Sequence, residues 1–172
     1  MYLETERVYL RRFNTGDEIF MFELDSNPLV TKYVGGKQLC MSEYKTYVDS
    51  FVDFYKRGKH CGFYKAFLKE DDSFIGWFHL RPERSAPDDF TLLELGYRLK
   101  QQYWNKGYAT EVSLKIIDKA FAILDATVVS AITLVDNSAS ARVMEKVGMK
   151  FTNKLLYMDQ FECVRYAIEK NK

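Results

Sequence analysis

The sequence predicts an α/β layered fold with a mixed sheet, and three observations carry that expectation. Strand-like runs occupy the opening, the middle and the end of the chain. Two segments with strong helical periodicity, near residues 42–57 and 108–124, lie between them. From Thr91 to Gly148 the order is strand, glycine turn, helix, strand, polar cap and short helix, which suits helices layered on a sheet.

Leu3 to Phe13 alternates, with Val8 and Leu10 on one face and Tyr9 and Arg11 on the other, so it reads as a strand. Thr15-Gly16-Asp17-Glu18 fits a capping box for a short helix to about Leu24, and Asn27-Pro28 ends it. Leu29 to Leu39 has no firm period; Gly35-Gly36 marks a turn near Tyr33. Ser42 to Arg57 places Tyr44, Tyr47, Val48, Phe51, Val52 and Tyr55 at helical spacing, with Gly58 as the stop. Such an aromatic stripe reads as packing first and as a border of a substrate groove second.

Phe63–Lys69 and Phe74–Arg81 form a predicted hairpin around Glu70-Asp71-Asp72-Ser73. Gly76 inside the second strand signals a bulge or the close approach of another backbone. A polar loop, Pro82 to Phe90, leads into the strand Thr91–Leu99. The following helix rests on Ala109, Val112, Ile116, Ile117, Ala120, Phe121 and Leu124, recurring at three- and four-residue steps. Thr127 to Val135 is a β-branched strand. Asn137 or Ser138 then caps a helix reaching about Val147, with Gly148 as its C-terminal stop, and two strands near Lys150–Met158 and Phe161–Ile168 finish the chain.

At 172 residues the chain suits one domain spanning residues 1–172, and 47% hydrophobic with 16% aromatic residues implies a large, ring-rich core. A formal net charge of +1 without long single-sign runs excludes the footprint of a dedicated nucleic-acid binder. No apolar run approaches a membrane span, and the N-terminus reads as a strand instead of a signal peptide, so a cytoplasmic location is expected. Cys40, Cys61 and Cys163 are odd in number and widely spaced, and His60 and His79 lack ligand spacing. Neither a disulfide framework nor a metal site is expected.

The chemistry concentrates at Tyr103-Trp104-Asn105-Lys106-Gly107-Tyr108-Ala109-Thr110-Glu111. A glycine at a helix start lets a phosphate come close, while the unpaired N–H groups of the first turn and the helix dipole supply donors and positive charge. The plainer alternative is a tight strand-to-helix turn with a solvated Lys106. It is not a Walker-type loop, because here the lysine precedes the glycine.

Three stretches, "ELGYRL" at Glu94–Leu99, "YWNKGYATE" at Tyr103–Glu111 and "NSASARVMEKVGMKF" at Asn137–Phe151, follow an opening "ETERVYLRRF" at Glu4–Phe13. In this order and spacing the chain resembles a GNAT-superfamily N-acetyltransferase, of the branch of ribosomal-protein N-terminal (Rim-type) acetyltransferases. The resemblance implies a GNAT-like fold, with a mostly antiparallel sheet splayed between its fourth and fifth strands and flanked by helices. It implies acetyl-CoA as donor, direct attack in a ternary complex, and pantetheine between the strands at Glu94–Leu99 and Thr127–Val135. The implied cosubstrate residues are Tyr97, Leu99, Trp104, Asn105, Lys106, Gly107, Tyr108, Ala109, Thr110, Asn137 and Ser140. Trp104 stands where many relatives carry Arg or Gln, and Asn105 replaces a common Gly.

The resemblance also supplies the catalytic candidates. Glu94 corresponds to the family's acidic residue and would act as base through a water; the alternative is a structurally paired carboxylate. Much of the family uses a Tyr to protonate the leaving thiolate, but its position here is Met144, which cannot donate a proton. Ser140, used as a hydroxyl donor in the Rim-type branch, takes that role or merely supports the helix start. The acceptor is a primary amine, with a protein or peptide α-amine as first reading. A polyamine, aminoglycoside or amino-acid-like amine is the near alternative, for which Asp71-Asp72 and Asp88-Asp89 offer acidic pairs. A catalytically weak CoA-binding module is a third reading, supported by Met144 alone. Oligomeric state stays open, a homodimer included.

Overall fold

The opening segment folds as a hairpin where one continuous strand was expected. β1 (Leu3–Glu4) pairs antiparallel with β2 (Val8–Arg12), Leu3 opposite Leu10 and Glu4 opposite Tyr9. Thr5 makes the turn without glycine or proline. Its N–H and hydroxyl both donate to Val8 O, at 2.8 and 3.1 Å, and its Oγ1 accepts from Val8 N–H at 3.0 Å. The side-chain hydroxyl thereby substitutes for the usual turn chemistry. The structure, a computed structural model, describes residues 3–35, 38–57 and 60–170. The predicted turn residue Gly36 and the predicted helix stop Gly58 lie outside the described residues.

The chain divides into two compact units, one built from residues 1–79 and 97–108, the other from 80–96 and 109–172. In the first, β2 pairs antiparallel with β3 (Gly62–Leu68), from Val8 opposite Leu68 to Arg12 opposite Tyr64. The predicted turn at 70–73 leads from β3 into β4 (Phe74–Pro82), with Asp72 in the left-handed region. Gly76, on β4, resolves its two predicted alternatives in favour of close approach. A Cβ there would stand 2.1 Å from Arg98 O and 2.7 Å from Leu99 Cα, so no side chain fits.

Three helices, α1 (Glu18–Asp25), α2 (Pro28–Thr31) and α3 (Met41–Phe54), belong to the same unit, and a 3₁₀ turn at Tyr55–Arg57 follows α3. The expected capping box before α1 does not form. The Asp17 side chain makes no cap bond; it accepts from Asn14 N–H at 2.6 Å and pairs with Lys65. Pro28 does more than end a helix: it starts α2, whose cap Asn27 accepts from Leu29 N–H at 2.9 Å. The predicted stripe on α3 packs through Tyr44, Val48 and Phe51 with Phe13, Met21, Leu24, Phe67 and Trp77, whereas Tyr47 is exposed. Phe51 and Phe63 stack with centroids 3.8 Å apart.

In the second unit the start of β5 (Leu92–Leu99) runs parallel to β6 (Val128–Leu134). β6 is paired antiparallel along its length with β8 (Phe161–Glu169), and β8 with β7 (Lys150–Tyr157), the latter ladder irregular between Phe151 and Asn153. The strand order is β1-β2-β3-β4-β5-β6-β8-β7, a mixed, mostly antiparallel sheet with a parallel β5–β6 pair, flanked by helices. The β5–β6 ladder comprises Leu92–Val128, Leu93–Val129 and Glu94–Ser130, while both strands run on beyond it. Its early end is the expected splay, and Glu94 and Ser130 stand at the fork.

Helix α4 (Tyr108–Ile123) buries Val112, Ile116, Ile117 and Ala120, as its periodicity predicts. Burying Val112 and Ile116 completely is worth about 2 kcal/mol each, enough to hold the helix and its first turn in place. Helix α5 (Ser138–Lys146) is capped by Asn137 and followed by Gly148 with φ +86°, matching both predicted punctuation marks.

Candidate active site

The turn before α4 is set by two residues in the left-handed region. After a 3₁₀ turn at Gln101–Tyr103, Trp104 is extended, Asn105 has φ +60° and Gly107 φ +84°. Asparagine tolerates this conformation better than most residues, so the replacement of glycine at 105 keeps the turn. Trp104 Nε1 donates to Leu99 O at 2.8 Å and ties the turn to the end of β5. A Cβ on Gly107 would lie 3.4 Å from Arg7 Nη2, a tight contact, and the φ of +84° strains any other residue there. Lys106 is exposed, its Nζ 5.7 Å from the Tyr103 ring centroid.

Arg7 is a neighbour that local sequence patterns did not single out. It comes from the β1–β2 turn, its Nη1 donates to Lys106 O at 3.1 Å, and its guanidinium lies 4.4 Å over the Tyr108 ring. Tyr97 packs its ring 5.5 Å from Phe78, and Leu99 is buried. Tyr97, Leu99, Trp104, Asn105, Lys106, Gly107 and Tyr108 all belong to the first unit.

The same unit holds a buried polar cluster. Arg98 Nη1 reaches both oxygens of Asp25 at 2.5 Å, and Tyr44 OH donates to Asp25 Oδ2 at 3.0 Å while accepting from Leu39 N–H. Burial pushes the Tyr44 phenol up to about 12. This cluster ties the end of α1 and the start of α3 to β5.

Glu94, Ala109, Thr110, Asn137 and Ser140 belong to the second unit. Glu94 is 7% exposed, and Arg81 Nη2 donates to its Oε1 at 2.5 Å. The bond from Glu83 N–H to Leu92 O sets the register that places Arg81 opposite Glu94. Glu83, immediately after β4 and two residues from Arg81, accepts from both Ser130 Oγ and Arg165. The fork therefore carries two carboxylates, each paired with a guanidinium, and a serine hydroxyl. Charge-assisted bonds of this kind are roughly twice as strong as neutral ones, and taking one partner from a buried pair costs about 3–5 kcal/mol.

Asn137 caps α5 with its Oδ1, accepting from Ser140 N–H at 3.2 Å. Ser140 is half-buried, and Met144, one turn further on, is buried and brings no hydroxyl. Among the described residues no group of three His, Cys, Asp or Glu could hold a metal ion, and no helix is long and apolar enough to cross a membrane. Cys40 is an exposed free thiol, and Cys61 and Cys163 are buried ones.

Comparison with known proteins places the chain in a family. The chain is 29% identical over 151 residues to an uncharacterized N-acetyltransferase, YoaA, of Bacillus subtilis, covering 86% of this chain and 82% of that protein. Its fold is similar to that of a GNAT-family acetyltransferase from Bacillus anthracis, with TM-score 0.82, 22% identity and 98% of each chain covered. A ribosomal L7/L12 alpha-N-protein acetyltransferase in complex with coenzyme A has a similar fold, with TM-score 0.80, 15% identity and 98% of each chain covered. Residues 7–150 match the acetyltransferase (GNAT) domain, and the chain belongs to this family of acetyl-CoA-dependent N-acetyltransferases.

Proposed function

We propose that the protein transfers the acetyl group of acetyl-CoA to the α-amine of a protein or peptide, by direct attack in a ternary complex. The observation that carries this choice of acceptor is the engagement of Glu94 by Arg81. A carboxylate held in a buried ion pair is a modest proton acceptor, which suits an amine that needs little help. An α-amine with pKa about 7.8 is roughly a tenth neutral near pH 7, whereas a lysine amine with pKa about 10.4 is almost wholly charged, a difference of about 3.5 kcal/mol.

In this reading the amine nitrogen attacks the thioester carbon, its surplus proton leaves through water toward Glu94, the C–S bond breaks, and the departing thiolate accepts a hydrogen bond from the Ser140 hydroxyl. The turn at Gly107 suits the pyrophosphate, with donors from the first turn of α4 at Tyr108, Ala109 and Thr110 and with Trp104, Asn105 and Lys106 shaping the approach. The resemblance to the family assigns Tyr97, Leu99 and Asn137 to the pantetheine. A thiol pKa near 8.5 makes CoA thiolate a fair leaving group, so the hydroxyl of Ser140 is sufficient where relatives use tyrosine.

Three of the four carboxylates offered for a polyamine acceptor serve turns and strand contacts. Asp71 accepts from Ser73 N–H at 3.0 Å, Asp72 from Tyr9 OH at 2.7 Å, and Asp89 from Thr91 N–H and hydroxyl at 2.8 and 2.7 Å. Hydrogen bonds from Ser73 and Thr91 hold the Asp71 and Asp89 carboxyls below their ordinary range. An acetyl-CoA-dependent screen of N-terminal peptides against polyamines and aminoglycosides tests the assignment. Turnover is expected with peptides; turnover confined to a polyamine or aminoglycoside overturns the acceptor, and CoA binding without turnover on any amine overturns the enzyme reading.

A further inference from the structure

We propose that Arg7 is a phosphate-binding residue of this enzyme, its guanidinium completing the site for the acetyl-CoA pyrophosphate at the Lys106–Gly107 turn. The inference rests on the placement of the pyrophosphate argued above and adds to it a residue 99 positions away in sequence.

Contacts of its backbone and of its side chain fix where the cation stands. The backbone of Arg7 is held by the hairpin pairs Leu3–Leu10 and Glu4–Tyr9 and by the bond from Lys69 N–H to Arg7 O at 2.9 Å. Nη1 grips the carbonyl of Lys106 at 3.1 Å, immediately before the glycine. The guanidinium lies over the Tyr108 ring, its Cζ 4.4 Å from the centroid. A planar cation held by a ring face and a carbonyl is pre-organised, so little side-chain entropy is lost when it meets an anion.

The position also points to the ligand. Among the described residues Nη2 is the atom nearest to the place a Cβ of Gly107 would occupy, 3.4 Å away, so the guanidinium stands beside the glycine at the helix start. Arg7 is exposed, and a group arriving there needs no rearrangement of the core. Lys106, the cation that local sequence suggests for this task, has its Nζ over the Tyr103 ring instead. Arginine suits the remaining role, because its fork of N–H donors matches phosphate oxygens and its charge persists at every working pH. The opening hairpin thereby becomes part of cosubstrate recognition.

The test compares Arg7→Gln and Arg7→Lys with the parent protein in binding CoA, dephospho-CoA and S-acetylpantetheine, by calorimetry or by NMR shifts for the weak ligand. The expected result for Arg7→Gln is a loss of about tenfold or more in affinity for both CoA and dephospho-CoA. S-acetylpantetheine, which has no phosphate, should bind as before, and Arg7→Lys should fall between parent and Arg7→Gln. Unchanged CoA binding overturns the proposal. Equal losses for all three ligands reduce Arg7 to a brace of the turn and overturn it as well. A loss for CoA with none for dephospho-CoA assigns Arg7 to the 3′-phosphate and overturns the pyrophosphate placement. Gly107→Val serves as the separate arm: if that variant binds CoA normally, the underlying site is wrong, whereas blocked binding there with normal binding by Arg7→Gln refutes the inference about Arg7 alone.

Discussion

Replacing Glu94 with glutamine separates its observed pairing with Arg81 from its proposed role as a base, because the change keeps size and hydrogen bonding but removes charge and basicity. Glu94 and Arg81 have side chains only 10% and 15% exposed. Breaking such a pair outright costs about 3–5 kcal/mol. Glutamine still accepts a bond from Arg81, worth about 1 kcal/mol, so a loss of about 2–4 kcal/mol remains. For a chain of this size that lowers Tm by about 4–16 °C. Thermal and urea unfolding read this term, and Glu94→Gln combined with Arg81→Met should recover most of it, since the unpaired cation is then gone. Kinetics read the other role. The rate on an α-amine peptide should fall most at low pH and recover nearly completely by about pH 8.5, where that amine is mostly neutral without help. A Tm equal to the parent's would refute the buried-pair energetics, and a uniform rate loss at every pH would refute the base role.

Gly76→Ala should destabilise by about 3–5 kcal/mol, because its Cβ would meet Arg98 O at 2.1 Å and φ is +144°; a urea midpoint within error of the parent's would contradict this. Ser140→Ala should lower kcat with little change in acetyl-CoA affinity if the hydroxyl assists the thiolate; equal losses in both would make it a structural cap. Tyr44, with its phenol pushed from 10.0 to about 12, keeps its proton longer when folded than when unfolded. Its contribution is complete below about pH 10 and lost as pH rises toward 12, so Tyr44→Phe should flatten the alkaline fall in stability over that window. An unchanged alkaline slope would show that other groups set it.

Local patterns were legible wherever one element decides its own structure. The stripe on α4, the Asn137 cap, Gly148 and the left-handed turn at Gly107 all depend on spacing within a few residues. The Thr5 turn escaped because a threonine hydroxyl does what glycine or proline usually signals, and the alternation of Val8, Tyr9 and Leu10 continues up to it. At the candidate site, Glu94 was visible as a carboxylate but its partner Arg81 was not, since only the β4–β5 register brings them together. Glu83, Ser130 and Arg165 meet across three strands, and Arg7 reaches Lys106 from the opposite end of the chain. Such pairings follow from strand order and carry no signal in spacing.

The acceptor assignment is tested most directly with one peptide that carries both a free α-amine and a single lysine, acetylated to low conversion at pH 7 and mapped by fragmentation mass spectrometry. From reference pKa values the α-amine has roughly a 300-fold larger neutral fraction than the lysine at that pH. The account predicts that the first acetyl group is found on the α-nitrogen; an acetyl group found first on the lysine side chain would contradict it.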